Sequence, residues 1–126
     1  MSVDVTPLIP AGRQVVESYG PGGFRVSGIA YQGAILVFTE ETRPWSVTRL
    51  GDITAASLAP VIEHANIEIL LLGCGARMMP LAPELRQALR DKGIVVDAMD
   101  TGAACRTYNV LLSEERRVAA ALLPAK

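Results

Sequence analysis

The sequence predicts a single small α/β domain, in which helices are layered on a mixed, largely parallel β-sheet with an N-terminal β-hairpin and a C-terminal strand. Two apolar runs of strand length, Ile67–Leu72 and Ile94–Met99, flank the helix-like segment Pro83–Arg90. Strand, helix and strand in this order predict a βαβ unit whose strands are parallel. Because 126 residues suit one hydrophobic core, we expect one domain over residues 1–126.

The first half of the chain predicts a covering arm, a hairpin and a third strand. Residues 1–23 are rich in proline and glycine, which is typical of an arm lying over a domain. The runs Phe24–Tyr31 and Ala34–Phe38 are predicted to pair as a β-hairpin, with Gly28 as a bulge. Pro44–Val47 predicts a short strand, with its proline at the start or on a sheet edge.

Capping residues predict where the remaining elements begin and end. Ser57 is expected to cap a short helix that runs to about His64, and Gly93 is expected to end the helix of the βαβ unit. A third helix is predicted over Gly102–Leu112, because apolar residues recur there at helical spacing. The charged break that follows it and the final proline favour a last strand over Arg117–Leu123.

Composition and charge exclude several classes of function. Twelve Lys and Arg against 13 Asp and Glu give a net charge of −1, which argues against nucleic acid as a partner, since its binding needs many cationic contacts to phosphate. We expect no transmembrane segment, because no apolar stretch approaches the roughly 20 residues that cross a bilayer. The first residues show no targeting pattern, and two cysteines make no disulfide framework. A cytoplasmic protein is therefore expected.

The segment Met99–Asn109 concentrates the polar chemistry of the chain. It is predicted to be a strand-to-helix turn, which is where α/β proteins place ligands. The turn Gly73–Gly75, which follows the parallel strand Ile67–Leu72, should lie beside the turn at Met99–Asn109. The candidate binding residues of these two loops are Gly73, Gly75, Asp100, Thr101, Cys105, Arg106 and Asn109.

Each of these residues also has a structural interpretation. Asp100 or Thr101 is expected to cap the helix that follows, which contributes about 1 kcal/mol. Arg106 and Asn109 either hold an anion or a partner's carboxylate, or are solvated. Cys105 either carries an acidified thiol beside the neighbouring arginine or is a small buried residue, and the second is the more common case.

The sequence completes no catalytic, metal or cofactor site. A thiol nucleophile needs a base within about 3 Å. His64, however, precedes the strand that Cys74 follows, and six strand residues span roughly 20 Å. The turn Gly73–Gly75 suggests phosphate binding, but Met78 stands where a third glycine belongs. The two cysteines lack Cys-x-x-Cys spacing and fall short of a zinc site. We therefore predict no catalytic residue, no metal and no cofactor.

Several stretches taken together resemble a known family. They are Trp45–Val47, Ile67–Gly75, Gly93–Thr101, and Ala104–Leu111 leading to Arg117–Leu122. In this order and spacing they are similar to the domain-of-unknown-function 498 family, over essentially everything from Phe24 onward. The resemblance implies a small α/β domain with a C-terminal strand, and no established activity or cofactor. It also implies an assembly role, because a mitochondrial member of the family helps to assemble respiratory complex I (NADH dehydrogenase).

The chain departs from that family at two positions. Cys74 stands where a Gly-Thr-Gly turn is usual, and Glu115 stands where a glycine is usual. We expect a non-enzymatic accessory protein that acts through protein contacts, in the manner of an assembly factor for a respiratory or membrane complex. The alternative is a small-molecule-binding protein or enzyme that uses the loops at 73–75 and 100–109. Self-association into a homodimer is a further expectation.

Overall fold

A computed structural model describes residues 11–64 and 66–125 and contains two β-sheets. The first sheet is antiparallel and has three strands in the order β1-β2-β3. Its strands are β1 (Val16–Tyr19), β2 (Gly23–Val26) and β3 (Ile29–Gln32). An antiparallel N-terminal hairpin is therefore present, although its strands are not the two that were predicted to pair.

The second sheet is mixed and has five strands in the order β5-β4-β8-β6-β7. Its strands are β4 (Ile35–Val37), β5 (Thr42–Pro44), β6 (Ile69–Gly73), β7 (Val95–Met99) and β8 (Val118–Leu122). β8 and β7 are both parallel to β6, whereas β4 is antiparallel to both β5 and β8. The mixed sheet and the C-terminal strand are therefore confirmed.

The described part of the chain also contains three helices: α1 (Ala59–Glu63), α2 (Pro83–Arg90) and α3 (Thr101–Ser113). A short 3₁₀ turn covers Leu50–Asp52. α2 begins with a proline, whose missing N–H costs little in a first turn, and it connects β6 to the parallel strand β7. The βαβ unit and the helix bounds predicted for it are confirmed. Among the described residues, no helix is both long and apolar enough to cross a membrane.

Hydrophobic residues fill both faces of the five-stranded sheet. One face packs against α1 and α2, through Leu58, Leu85 and Leu89. The other face packs against α3 and the three-stranded sheet. Every residue of β8 is buried, and its run of three alanines lets both layers approach the sheet closely. The five-stranded sheet is thus a middle layer, and α3 lies between one of its faces and the N-terminal strands.

The predicted pairing of the hairpin is wrong. The run Phe24–Tyr31 folds on itself into β2 and β3, and the turn between them is Ser27-Gly28. The φ angles of these two residues are 45° and 86°, which is the geometry of a type I′ turn that matches the twist of flanking strands. Gly28 therefore lies in a turn rather than in a bulge. The run Ala34–Phe38 instead supplies β4, which pairs with β5 and β8.

Two local boundaries also differ from the prediction. The Ser57 hydroxyl bonds the main chain of Thr54 and not the start of α1, whose N-cap residue is Leu58. The third strand is Thr42–Pro44 rather than 44–47, although Pro44 does lie on an edge strand as expected. Within the predicted arm, residues 1–10 lie outside the described residues, and the rest contains β1.

Candidate functional site at the carboxyl ends of the parallel strands

The two predicted loops meet at the carboxyl ends of β6 and β7. Gly73 is the last residue of β6, and a Cβ placed there would lie 2.9 Å from a methyl carbon of Leu122 and 3.0 Å from the Thr101 hydroxyl. A side chain at this position would force Leu122 and Thr101 to shift, so the glycine lets the three segments approach closely. The Cys74 N–H donates to the Met99 carbonyl at 2.8 Å, which extends the pairing of the two strands into the loops.

Thr101 joins three segments of the chain at one point. Its hydroxyl accepts a hydrogen bond from the Gly75 N–H at 2.8 Å and donates one to the Leu123 carbonyl at 2.6 Å. Its own N–H donates to the Gly75 carbonyl at 2.9 Å. The residue is fully buried, so water cannot replace these partners. Thr101 thus fixes the turn after β6 to the start of α3 and to the end of β8.

Asp100 caps α3, as one of the two interpretations predicted. Its carboxylate accepts a hydrogen bond from the Ala103 N–H at 2.9 Å. A carboxylate at a helix N-terminus also meets the positive end of the helix dipole. Capping therefore explains the position of this side chain without a ligand.

Tyr19 of β1 lies over the first turn of α3. A Cβ at Gly102 would be only 2.6 Å from the Tyr19 hydroxyl oxygen, so the glycine makes room for the phenol. The Arg106 guanidinium donates to that oxygen at 3.2 Å. Arg106 is nevertheless exposed, and it forms no ion pair within the described part of the chain. Its charge faces solvent beside the N-terminal sheet.

Asn109 holds the edge of β1. Its side-chain oxygen accepts from the Val16 N–H at 3.0 Å, and its amide nitrogen donates to the Val16 carbonyl at 2.8 Å. The side chain therefore imitates a neighbouring strand. The sequence suggested that Asn109 either binds an anion or a partner's carboxylate, or is solvated, and its bonds to Val16 agree with neither.

The two thiols have different environments. Cys105 belongs to α3 and is buried in the core between the helix and the sheet. Burial raises the pKa of its thiol to about 12, and the nearby charge of Arg106 has a smaller, opposite effect on this pKa. The thiol is therefore protonated at neutral pH, and the alternative of an acidified cysteine is wrong. Cys74 is half-buried, with its sulfur 3.7 Å from the Met79 carbonyl oxygen. Neither cysteine is in a disulfide.

An open pocket of about 390 Å³ lies beside the turn after β6. Of the seven predicted site residues, Gly75 is the one that lines it. The other lining residues come from the 3₁₀ turn, the β6 turn and the end of β8: Thr48, Arg49, Leu50, Cys74, Ala76, Leu123 and Pro124. Next to it, the side chains of Met78 and Met79 are 56% and 44% exposed.

His64 lies at the opposite ends of the strands. It follows α1, stacks on Phe38 with 4.3 Å between ring centroids, and is half-buried rather than exposed. A pocket of about 230 Å³ there is lined by His64 together with Arg13, Arg116 and Arg117. Among residues 11–64 and 66–125, no three His, Cys, Asp or Glu side chains are placed to hold a metal ion.

Comparison with known proteins identifies the family. A family model described as a protein of unknown function (DUF498/DUF598) matches residues 16–123. The chain belongs to the DUF498/DUF598 family. An uncharacterised protein of Rhodobacter capsulatus is 40% identical to it over 90% of this chain and 87% of its own length.

Other relatives carry a functional name. NADH dehydrogenase (ubiquinone) 1 alpha subcomplex assembly factor 3 of Danio rerio is 37% identical over 98% of this chain and 71% of its own length. The Homo sapiens protein of the same name is 34% identical over 86% of this chain. The chain spans 60% of the length of that human relative.

Solved structures confirm the fold of this DUF498/DUF598 member. A crystal structure of a Bordetella parapertussis protein has a TM-score of 0.83 and 43% identity, and covers 91% of this chain and 99% of its own. A solution structure from Bordetella pertussis, described as an Mth938-like domain, has a TM-score of 0.79 and 34% identity. It covers 99% of this chain and 93% of its own.

In this DUF498/DUF598 chain, two tyrosines that hold α3 in place were not predicted from the sequence. Tyr19 covers Gly102, as described above. The buried hydroxyl of Tyr108 donates to the Gln14 carbonyl at 2.9 Å and lies 3.2 Å from the Phe38 carbonyl oxygen, and burial raises its pKa. The only available signal was the position of Tyr108 on the apolar stripe of α3. The binding role of the seven predicted residues stays a prediction.

Proposed function

We propose that this chain is a non-enzymatic accessory protein that supports the assembly of a respiratory NADH dehydrogenase complex by binding one of its protein components. The observation that carries the proposal is the relationship to assembly factor 3. The Danio rerio protein of that name matches 98% of this chain, so the whole α/β domain is common to both.

The geometry of the predicted loops supports a contact surface more than an enclosed active site. Thr101 and Asp100 use their polar groups within the protein, and Asn109 bonds Val16. Cys105 is buried and protonated. These residues make the end of the sheet rigid, which lowers the entropy lost when a partner docks there.

We infer that the partner contacts the loop after β6. Met78 and Met79 are exposed there, and Arg77 precedes them. Methionine and arginine are enriched at protein interfaces, and the flexible thioether adapts to irregular partner surfaces. Arg49 and Cys74 line the adjoining pocket, which would accept a side chain of the partner.

The proposal is tested by deleting the gene from the organism that encodes this chain. Membranes are then analysed on native gels, and the fully assembled NADH dehydrogenase is quantified. We expect the amount to fall several-fold in the deletion strain and to return with the wild-type gene. An unchanged amount of complex in the deletion strain would overturn the proposal.

The surface assignment is tested by complementation with Met78→Ser/Met79→Ser. This variant should fail to restore the complex, although its melting temperature stays close to that of the wild type, because both side chains are exposed. The matched control is Val110→Ser, which removes an exposed apolar side chain from α3. If the double variant restores the complex as well as this control, the partner binds elsewhere.

The pocket beside Gly75 favours a second candidate function, the binding of a small molecule. It has about 390 Å³ of space, which lies in the range of small-ligand sites, and it combines Arg49 with the apolar side chains of Leu50 and Leu123. Thermal-shift screening of the pure protein tests this candidate. A compound that raises the melting temperature of the wild type but not of Ala76→Leu, which narrows the pocket, would support it.

A further inference from the structure

Edge strands of a sheet expose unpaired main-chain groups, and proteins block these edges against unwanted pairing. The two sheets in the described part of the chain have four edges, at β1, β3, β5 and β7.

Three of the four edges are blocked by identifiable groups. At β1, the Asn109 amide occupies both main-chain groups of Val16. At β7, the Arg86 guanidinium donates to the outward carbonyl of Val96 at 2.6 Å. At β5, the pairing with β4 places the main chain of Pro44 on the open side of the strand, and proline has no N–H that another strand could use.

Within residues 11–64 and 66–125, no such group lies at the edge of β3. Its residues Ile29–Gln32 include no charge and no proline, and Ile29 is 58% exposed. The type I′ turn makes Val26 and Ile29 a hydrogen-bonded pair, and the Gly33 N–H donates to the Gly22 carbonyl in the same register. It follows that the main-chain groups of Ala30 and Gln32 point to the open edge.

We propose that a second copy of this chain pairs with β3 along this edge, antiparallel and about a twofold axis at Tyr31, so that the two three-stranded sheets join into one of six strands. In this register Ala30 of each copy exchanges two hydrogen bonds with Gln32 of the other. The two Tyr31 residues face each other as a non-hydrogen-bonded pair, where side chains lie closest.

The composition of β3 suits a second copy in particular. The twofold axis sets Tyr31 opposite its own counterpart and makes the two copies of Ala30, and those of Gln32, diagonal neighbours, so that a charge at any of these positions would lie near a like charge. β3 has none. The same register sets the exposed Ile29 of one copy opposite Gly33 of the other, which has no side chain to obstruct it. Because the paired segment is only four residues long, the dimer is weak and its population depends on concentration.

The test is the average molar mass measured by light scattering or sedimentation over a roughly hundredfold range of concentration. We expect the mass of the wild type to rise toward that of a dimer. Ala30→Pro should stay monomeric, because proline removes the outward N–H without touching the bonds to β2. Ala30→Thr keeps this N–H and should dimerise like the wild type. A wild type that is monomeric throughout, or an Ala30→Pro variant that dimerises equally well, would overturn the proposal.

Cross-linking decides the matter if Ala30→Pro does not fold. Facing residues of a non-hydrogen-bonded pair have Cα atoms about 4.5 Å apart, which is within the range that a disulfide spans. In a Cys74→Ser background, Tyr31→Cys should therefore form a covalent dimer on mild oxidation with copper phenanthroline. Arg25→Cys, on the central strand β2, should not. Equal cross-linking of the two variants would contradict pairing through β3. The absence of any cross-link would also contradict it, and is the result expected if β3 binds a segment of another protein instead.

Discussion

Thr101 is the residue on which the candidate site most depends. Its buried hydroxyl is the hydrogen-bond partner of both the Gly75 N–H and the Leu123 carbonyl. The three segments that meet there are far apart in the sequence, so no local interaction replaces this bridge. The close approach of Gly73 to the same hydroxyl shows how little room a rearrangement would have.

Thr101→Val should therefore destabilise the protein without changing the shape of the side chain. The buried Leu123 carbonyl and the partly buried Gly75 N–H lose their partner, and an unsatisfied buried group costs about 1–3 kcal/mol. We expect the free energy of unfolding in urea to fall by about 2–4 kcal/mol. The matched control is Thr107→Val on the same helix, where no such bridge exists and the change should be small. Equal losses in the two variants would contradict the role given to Thr101.

Cys105 makes stability depend on pH in alkaline solution. Burial raises its pKa from an ordinary 9.0 to about 12. Below about pH 9 the thiol is protonated in both the folded and the unfolded chain. Between about pH 9 and 12 the unfolded chain releases this proton while the folded chain keeps it, so that stability falls as the pH rises.

The measurement is urea unfolding of the wild type and of Cys105→Ala at pH 7 and at several values above 9. Tyr108 shifts in the same direction, so both proteins should lose stability. The difference between them isolates the thiol. We expect the free energy of unfolding of the wild type, relative to that of Cys105→Ala, to fall by at most roughly 1.4 kcal/mol per pH unit above pH 9. A difference that stays constant up to pH 11 would show that the thiol ionises in the folded protein.

At the scale of elements, α3 ends in a Schellman motif. The Arg116 N–H donates to the Leu111 carbonyl and the Glu115 N–H to the Leu112 carbonyl, both at 3.0 Å. Glu115 occupies the left-handed position of this motif, with a φ of 60°. Glycine favours that position because it has no Cβ to clash with the main chain. The family resemblance implied a glycine here, and this geometry gives the physical reason.

Glu115→Gly should stabilise the protein by about 1 kcal/mol, because it relieves the left-handed strain. Glu114→Gly is the matched control: its φ is −89°, so that glycine there gains nothing and adds flexibility to the unfolded chain. The midpoints of thermal or urea unfolding compare the two variants. Destabilisation by both changes to the same degree would mean that Glu115 makes a compensating contact.

At the scale of the whole molecule, what the sequence predicted was local. The βαβ unit, the cap at Asp100 and the bounds of α2 depend on residues a few positions apart, and their patterns are explicit. What it missed depends on distant segments: Asn109 bonds Val16, and Arg106 bonds Tyr19. The hairpin was paired wrongly for a related reason. The apolar run of β4 is compatible with either neighbour, and the tertiary structure places it against β8.

The same distinction explains the candidate site. The sequence placed its seven residues near one another, and the contacts of Gly73, Gly75, Asp100 and Thr101 show that their loops do meet. It did not show that most of these polar groups are used inside the protein. Features that stay open to a partner include Met78 and Met79 in the loop after β6, the pocket beside Gly75 and the edge of β3.

The central claim, an assembly role exercised through protein contacts, is tested most directly by following the protein itself through native separations of cell membranes and extracts. Fractions are probed for this chain and for subunits of NADH dehydrogenase. We expect the chain to migrate with a partial assembly of the complex, to be absent from the finished enzyme, and to lose this position in Met78→Ser/Met79→Ser. A chain that always migrates at its own size or as a dimer, while NADH dehydrogenase assembles normally without it, would contradict the account.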